Sequence, residues 1–231
     1  MFPIGDDNDN IKGGPLPLVT WAVIAVNVLA FFLEITRPEA ALQAFIQSWG
    51  VVPREYAAGH DLSPLIAAPF WTTLFTSMFL HGGWMHLGGN MLYLWIFGDN
   101  IERSMGAVKF LIFYLVCGLA ASAAHILFNL GSAMPAVGAS GAISGVLGGY
   151  LLLFPRNRVR VLTYGRVAHI PALVVIGFWI VLQFVNGLGS VARTDETAGV
   201  AYMAHIGGFV AGIVLVKLFV GRSRAALGCK S

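Results

Sequence analysis

Residues 110–155 read FLIFYLVCGLAASAAHILFNLGSAMPAVGASGAISGVLGGYLLLFP, without a single Asp, Glu, Lys or Arg. As one helix this run would be about 69 Å long, more than twice the hydrocarbon core of a bilayer. Gly131-Ser132-Ala133-Met134-Pro135 supplies the break, because glycine and proline both oppose a helix interior. The run therefore reads as two apolar helices joined by a turn.

Working outward, 13–33, 62–98, 167–192 and 197–216 are equally free of those four residue types. Of the 231 residues 57% are hydrophobic and 11% charged, against about 25% charged in an ordinary soluble domain. A soluble core of this size cannot hide that much apolar surface. Each stretch is long enough to cross the bilayer as a helix. The 62–98 stretch is too long for one span, and Pro64, Pro69 and Gly82-Gly83 confine its membrane part to the segment from Trp84 onward. The expected fold is an all-α membrane protein, a bundle of six transmembrane helices in a single domain over 1–231. The spans fall near 15–35, 82–98, 107–128, 139–155, 168–188 and 199–219. The connection over about 37–80 combines Trp49, Tyr56, Phe70 and Trp71 with prolines, a composition suited to an element lying in the outer interface.

Orientation follows from the basic residues. With the N-terminus inside, the inner side carries Lys12, Arg103, Lys109, Arg156, Arg158, Arg160, Arg166, Lys217, Arg222, Arg224 and Lys230, and the outer side only Arg37, Arg54 and Arg193. This asymmetry predicts cytoplasmic N- and C-termini. It also accounts for the net charge of +3, so no nucleic-acid partner is implied. The opening segment, with Asp6, Asp7 and Asp9, lacks the positive start of a signal peptide, and the first span is expected to remain. Cys117 and Cys229 suggest neither a disulfide nor a metal site.

Polar groups inside membrane spans are costly and mark function by default. Asn27, His81, His86, Asn90, His125, Ser140, Ser144 and His205 qualify, with Glu34 near an outer end. Spans two, four and six all run from outside to inside. At 1.5 Å per residue Ser140 lies about 24 Å above Arg156, His205 about 18 Å above Lys217 and His86 about 20 Å above Asp99. All three share the outer half of the membrane.

Ser140 starts the fourth span within Gly138-Ala139-Ser140-Gly141, where unpaired N–H groups and the helix dipole can stabilise an oxyanion. Gly141, Gly145 and Gly149 form a stripe for close helix packing, which is also the ordinary reading of this motif. In the sixth span His205, Gly208 and Gly212 share one face, so a glycine seam beneath the histidine brings a neighbouring helix within side-chain reach. That is the proximity a Ser–His pair needs. His86 and Asn90, at i and i+4 in the second span, both offer hydrogen-bond donors for acyl-transfer chemistry. Rival readings are a structural or proton-relay histidine and a metal site of His81, His86 and His205. No HExxH motif or buried carboxylate accompanies those histidines, and neither metal nor cofactor is expected.

His86–Asn90 as HxxxN, Gly138-Ala139-Ser140-Gly141 and Ala204-His205-Ile206-Gly207-Gly208 together resemble the rhomboid family of intramembrane serine proteases, in that family's order. Thr76–Gly83 and Phe97-Gly98-Asp99-Asn100-Ile101-Glu102 look like its bacterial members, and the resemblance runs from about residue 15 to 220. It implies a catalytic dyad of Ser140 (nucleophile) and His205 (base), with the Ser140 N–H, His86 and Asn90 as oxyanion donors. It implies single-span membrane proteins as substrates, cleaved near their outer ends, and residence in the bacterial plasma (inner) membrane. Motion around span five, about 168–200, is thought to admit substrate. The Trp-Arg pair of many relatives is replaced by Trp71-Thr72, and the aromatic residue that others place four after the serine is Ser144. A catalytically inactive, client-binding relative and a small proton-conducting transporter are the alternatives.

Overall fold

The computed structural model describes residues 2–7, 16–62, 68–163, 165–192 and 201–220. Lys12, Pro64, Arg193, Arg222, Arg224, Cys229 and Lys230, used above, lie outside the described residues, as does 193–200 of the connection after span five. The chain runs β1 (Phe2–Asp6), α1 (Leu18–Ile35), α2 (Glu39–Trp49), α3 (Pro53–Ala58), α4 (Thr73–Thr76), α5 (Trp84–Met105), α6 (Ala107–Phe128) and α7 (Ser140–Leu153). It continues through β2 (Arg158–Thr163), β3 (Arg166–Pro171), α8 (Ala172–Ala192) and α9 (Tyr202–Phe219).

The architecture is a mostly helical membrane bundle. α1, α6 and α9 are long and apolar enough to cross a membrane, and α7 and the described part of α8 are shorter apolar helices. α5 is 22 residues long and carries Asp99, Glu102 and Arg103 in its last two turns. The expected break falls where Gly131–Pro135 sits, since α6 ends at Phe128 and α7 begins at Ser140. Between α5 and α6 the chain reverses at Gly106 alone, whose φ of 89° lies in the region glycine tolerates.

Phe97, Phe110, Phe113, Tyr114, Leu147 and Tyr150 are fully buried and form the aromatic and aliphatic centre. Leu29, Leu33, Trp95, Val108, Leu127 and Leu218 face outward, an inversion suited to lipid tails as solvent.

Two departures from the sequence reading concern the end of the bundle where α5 finishes and α1 begins. The fold is not all-α. β1, β2 and β3 form an antiparallel sheet in that order, with Phe2 opposite Leu162 and Arg158 opposite Pro171. Arg158-Val159-Arg160-Val161 alternates with period two, putting Val159 and Val161 into the core, so helix 8 begins at Ala172 and not near 168. Second, α5 continues seven residues past 98 because its charged end has internal work. The Glu102 carboxylate accepts the N–H groups of Val19 and Thr20 at 3.0 and 2.7 Å and the Thr20 hydroxyl at 2.8 Å. It thereby caps the N-terminus of α1, which has no cap of its own.

Candidate active site

The site begins with a seam of glycines. A Cβ at Gly208 would run into the Gly141 carbonyl, 3.0 Å from its carbon, and one at Gly212 into Gly145, 2.6 Å from its carbonyl carbon. Backbone therefore lies on backbone where α7 crosses α9, a closeness only glycine permits. Ser140 is the first residue of α7 and His205 lies in the first turn of α9. At the upper end of the seam His205 Nε2 stands 2.8 Å from Ser140 Oγ.

The loop before Ser140 is held from several directions. Gly138 donates its N–H to the Ser77 carbonyl at 2.8 Å, and Val51 and Ala136 exchange backbone bonds of 2.9 and 2.8 Å. Arg54 donates through Nη2 to the Gly131 carbonyl at 2.8 Å. The connection between α1 and α5 thus grips the loop through Arg54 in a chain that lacks the Trp-Arg pair. Gly138 has φ 130°, and a Cβ there would sit 2.8 Å from the His86 Nε2. This position needs glycine both for its backbone and to let His86 approach.

Gly82 donates its N–H to His86 Nδ1 at 3.4 Å, leaving Nε2 as the protonated nitrogen on the side facing Gly138 and Ser140. Asn90 donates one Nδ2 hydrogen to His81 Nε2 at 3.0 Å and keeps a second. His81 is buried, and its N–H points at the Glu34 carboxylate at 3.1 Å. His81, Glu34 and Asn90 thus form one chain of contacts, which sequence reasoning left unassigned. Ser144, fully buried, donates to the Ser140 carbonyl at 2.6 Å.

A cavity of about 360 Å³ is lined by His86, Asn90, Ser140, Ser144, Trp179 and His205, among others. Ser140, His205, His86 and Asn90, read from the sequence as site residues, therefore share one hollow whose lining is otherwise largely apolar. Among the described residues no three His, Cys, Asp or Glu side chains gather in a way that could hold a metal ion.

Two residues there were missed. Gln183 Oε1 accepts from His205 Nδ1 at 2.8 Å, and the Trp179 ring lies 5.8 Å from the His205 ring, tilted by 41°. Both stand on α8. The overlooked signal was an amide side chain in an otherwise apolar stretch of span five. Asn27 and His125, two of the polar residues singled out above, bond locally. Asn27 donates to the Val23 carbonyl of its own helix at 2.8 Å, and His125 meets Asn129, just past the end of its helix, at 3.4 Å.

Comparison with known proteins places these features in a family. The family model for the Rhomboid domain matches residues 68–222. The chain is 33% identical to Rhomboid protease GluP of Bacillus subtilis (strain 168), over 85% of this chain and 34% of that protein. It is 28% identical to Rhomboid protein 1, mitochondrial, of Saccharomyces cerevisiae, over 88% of this chain and 53% of that one. Putative rhomboid protease YdcA of Bacillus subtilis matches at 27%, over 88% and 89% respectively. The chain thus spans between a third and about half of the length of the first two relatives. With the domain match covering most of its length and the site motifs in family order, the chain belongs to the rhomboid family.

Proposed function

We propose that this protein is an intramembrane serine endopeptidase that cleaves single-span membrane proteins near their outer ends. The observation that carries this reading is the 2.8 Å approach of His205 Nε2 to Ser140 Oγ in the lining of a cavity shared with His86 and Asn90. In the reaction, His205 takes the Ser140 proton as Oγ attacks the peptide carbonyl carbon. The negative charge moves to the carbonyl oxygen, where the Ser140 N–H, the His86 Nε2–H and the second Asn90 amide hydrogen receive it. His205 passes the proton to the leaving amine, and the C–N bond breaks to give an ester on Ser140. Water, deprotonated by the same imidazole, then hydrolyses that ester. A helical peptide bond is shielded by its neighbours, so substrates unwind locally first, favouring small or helix-breaking residues at the cut.

The six helices α1 and α5–α9 are read as spans of one domain in a bacterial plasma (inner) membrane, with both termini cytoplasmic. This rests on the basic residues gathered at the inner ends of the helices.

The deciding experiment reconstitutes purified protein with a transmembrane-helix substrate. Ser140→Ala and His205→Ala are each expected to lower cleavage by at least about 10⁴-fold. Cleavage that survives Ser140→Ala sinks the mechanism, and a wild type that binds the substrate without cutting it points to the client-binding alternative. A C-terminal reporter found outside refutes the orientation.

A further inference from the structure

Histidine can accept a proton at Nε2 only while Nδ1 carries the hydrogen. In a low-dielectric site nothing about the Ser140–His205 pair itself selects that tautomer. With Nδ1 facing apolar surroundings the Nε2–H form would compete, donating uselessly to Ser140 Oγ and leaving the serine proton in place. No aspartate is found in the charge-free stretches that supply α7, the described part of α8, and α9. The only hydrogen bond to His205 Nδ1 among the described residues is from α8, where Gln183 Oε1 lies 2.8 Å away. Trp179, one turn earlier, lies beside the imidazole at 5.8 Å and also meets Phe209 at 6.4 Å. Residues 179 and 183 are i and i+4 and share one face of α8.

We propose, building on the Ser140–His205 reading above, that Gln183 is the positioning residue of the dyad. It accepts the Nδ1 hydrogen, fixes the tautomer with its lone pair toward Ser140, and turns its carbonyl dipole on the imidazolium that forms during acylation. Trp179 holds the plane of the ring. A carboxyl group buried at this place would keep its proton to avoid the desolvation cost of the ion, and the neutral acid still offers a carbonyl oxygen to Nδ1–H. Since Gln183 and Trp179 both stand on α8, the base is competent only while that helix is seated against α9. A displacement of α8 that opened a way for substrate would release the imidazole until the helix returned.

The test compares wild type with Gln183→Met, which keeps length and apolar character but loses the acceptor, and Gln183→Glu, which keeps an acceptor oxygen. Three quantities are read: kcat, KM, and the rate at which a fluorophosphonate labels Ser140, a reaction that needs no helical substrate. Gln183→Met is expected to lower kcat and the labelling rate together by about 10- to 100-fold, the range for losing a hydrogen bond to a charged group. KM should change less than about twofold, and Gln183→Glu should recover most of the rate. Thermal unfolding is measured alongside to check that both variants remain as stably folded as wild type. Wild-type rates in Gln183→Met overturn the proposal, as do equal losses in both variants or a loss confined to KM. If wild type itself proves no better than Ser140→Ala, the dyad reading has failed and the proposal falls with it. A wild type that depends on Ser140 but is indifferent to Gln183→Met overturns the proposal alone.

Discussion

Replacing Gly212 by alanine probes the seam that sets the distance between Ser140 and His205. The added Cβ would press on the Gly145 carbonyl, 2.6 Å from its carbon and 2.7 Å from Gly145 Cα, where ordinary contact begins at 3.4 Å. Both obstructing atoms are backbone, so no rotamer change relieves the clash. α7 and α9 must part by roughly 1 Å, in an interior too close-packed to absorb it. Gly212 lies seven residues from His205, about 10 Å along a stiff helix, and most of that shift reaches the Ser140–His205 contact. A contact of 2.8 Å stretched by such an amount leaves hydrogen-bonding range. A misplacement of that size costs about 100-fold in rate, and overpacking of this kind about 1–3 kcal/mol in stability. The assay is kcat on a transmembrane reporter in proteoliposomes, with thermal unfolding in detergent alongside. Gly177→Ala on α8, where a Cβ meets nothing within 4 Å, is the control and should behave as wild type. If Gly212→Ala cleaves and melts like wild type, the glycine crossing does not hold the dyad together.

Three further outcomes are expected. Glu102→Ala leaves three donors of α1 uncapped and should cost about 3 kcal/mol in unfolding free energy, while Glu102→Gln recovers part of it; equal stability of all three proteins would refute the capping role. Burial pushes the Asp6 carboxyl above the ordinary aspartate value, against the lowering effect of bonds from Tyr150 and Asn100. A raised folded-state pKa gives stability that is full below the unfolded value and lost as pH rises through the folded one. The Tm of wild type relative to Asp6→Asn should therefore fall with rising pH across that window, and a difference independent of pH would contradict it. Finally, His81→Ala removes the partner of the Asn90 amide and should lower kcat by about 10-fold with KM little changed, whereas Ser144→Ala should retain cleavage; a wild-type kcat in His81→Ala would show that Asn90 needs no support.

The helices were legible because lipid makes simple demands. Absence of charge marked the apolar segments, and Gly131–Pro135 marked the break between α6 and α7. The approach of Ser140 to His205 could be anticipated from Gly208 and Gly212, since a glycine face has no purpose other than closeness. The sheet was not legible. β2 and β3 are six residues each, and β1 sits more than 150 residues away from its partner, so no local pattern announces the pairing. Nor could α5 be followed to Met105, because Asp99, Glu102 and Arg103 look like the end of a span until Glu102 is seen capping α1. Gln183 escaped notice for a different reason. Gln183 and Asn186 are both amides in span five, and nothing in the sequence separates them until Gln183 Oε1 is seen beside His205 Nδ1.

The small sheet has a consequence for the order in which the protein assembles. Phe2–Asp6 is the first described segment to leave the ribosome, yet its partner strand, Arg158–Thr163, follows only after α7. Asp6 likewise takes hydrogen bonds from Asn100 on α5 and Tyr150 on α7, both 2.6 Å long and both made late. During synthesis this strand must wait, without its partner, until α1, α5, α6 and α7 have been made. Its docking closes a loop that spans two thirds of the chain, and all its partners are present only once α5, α7 and β2 have been made.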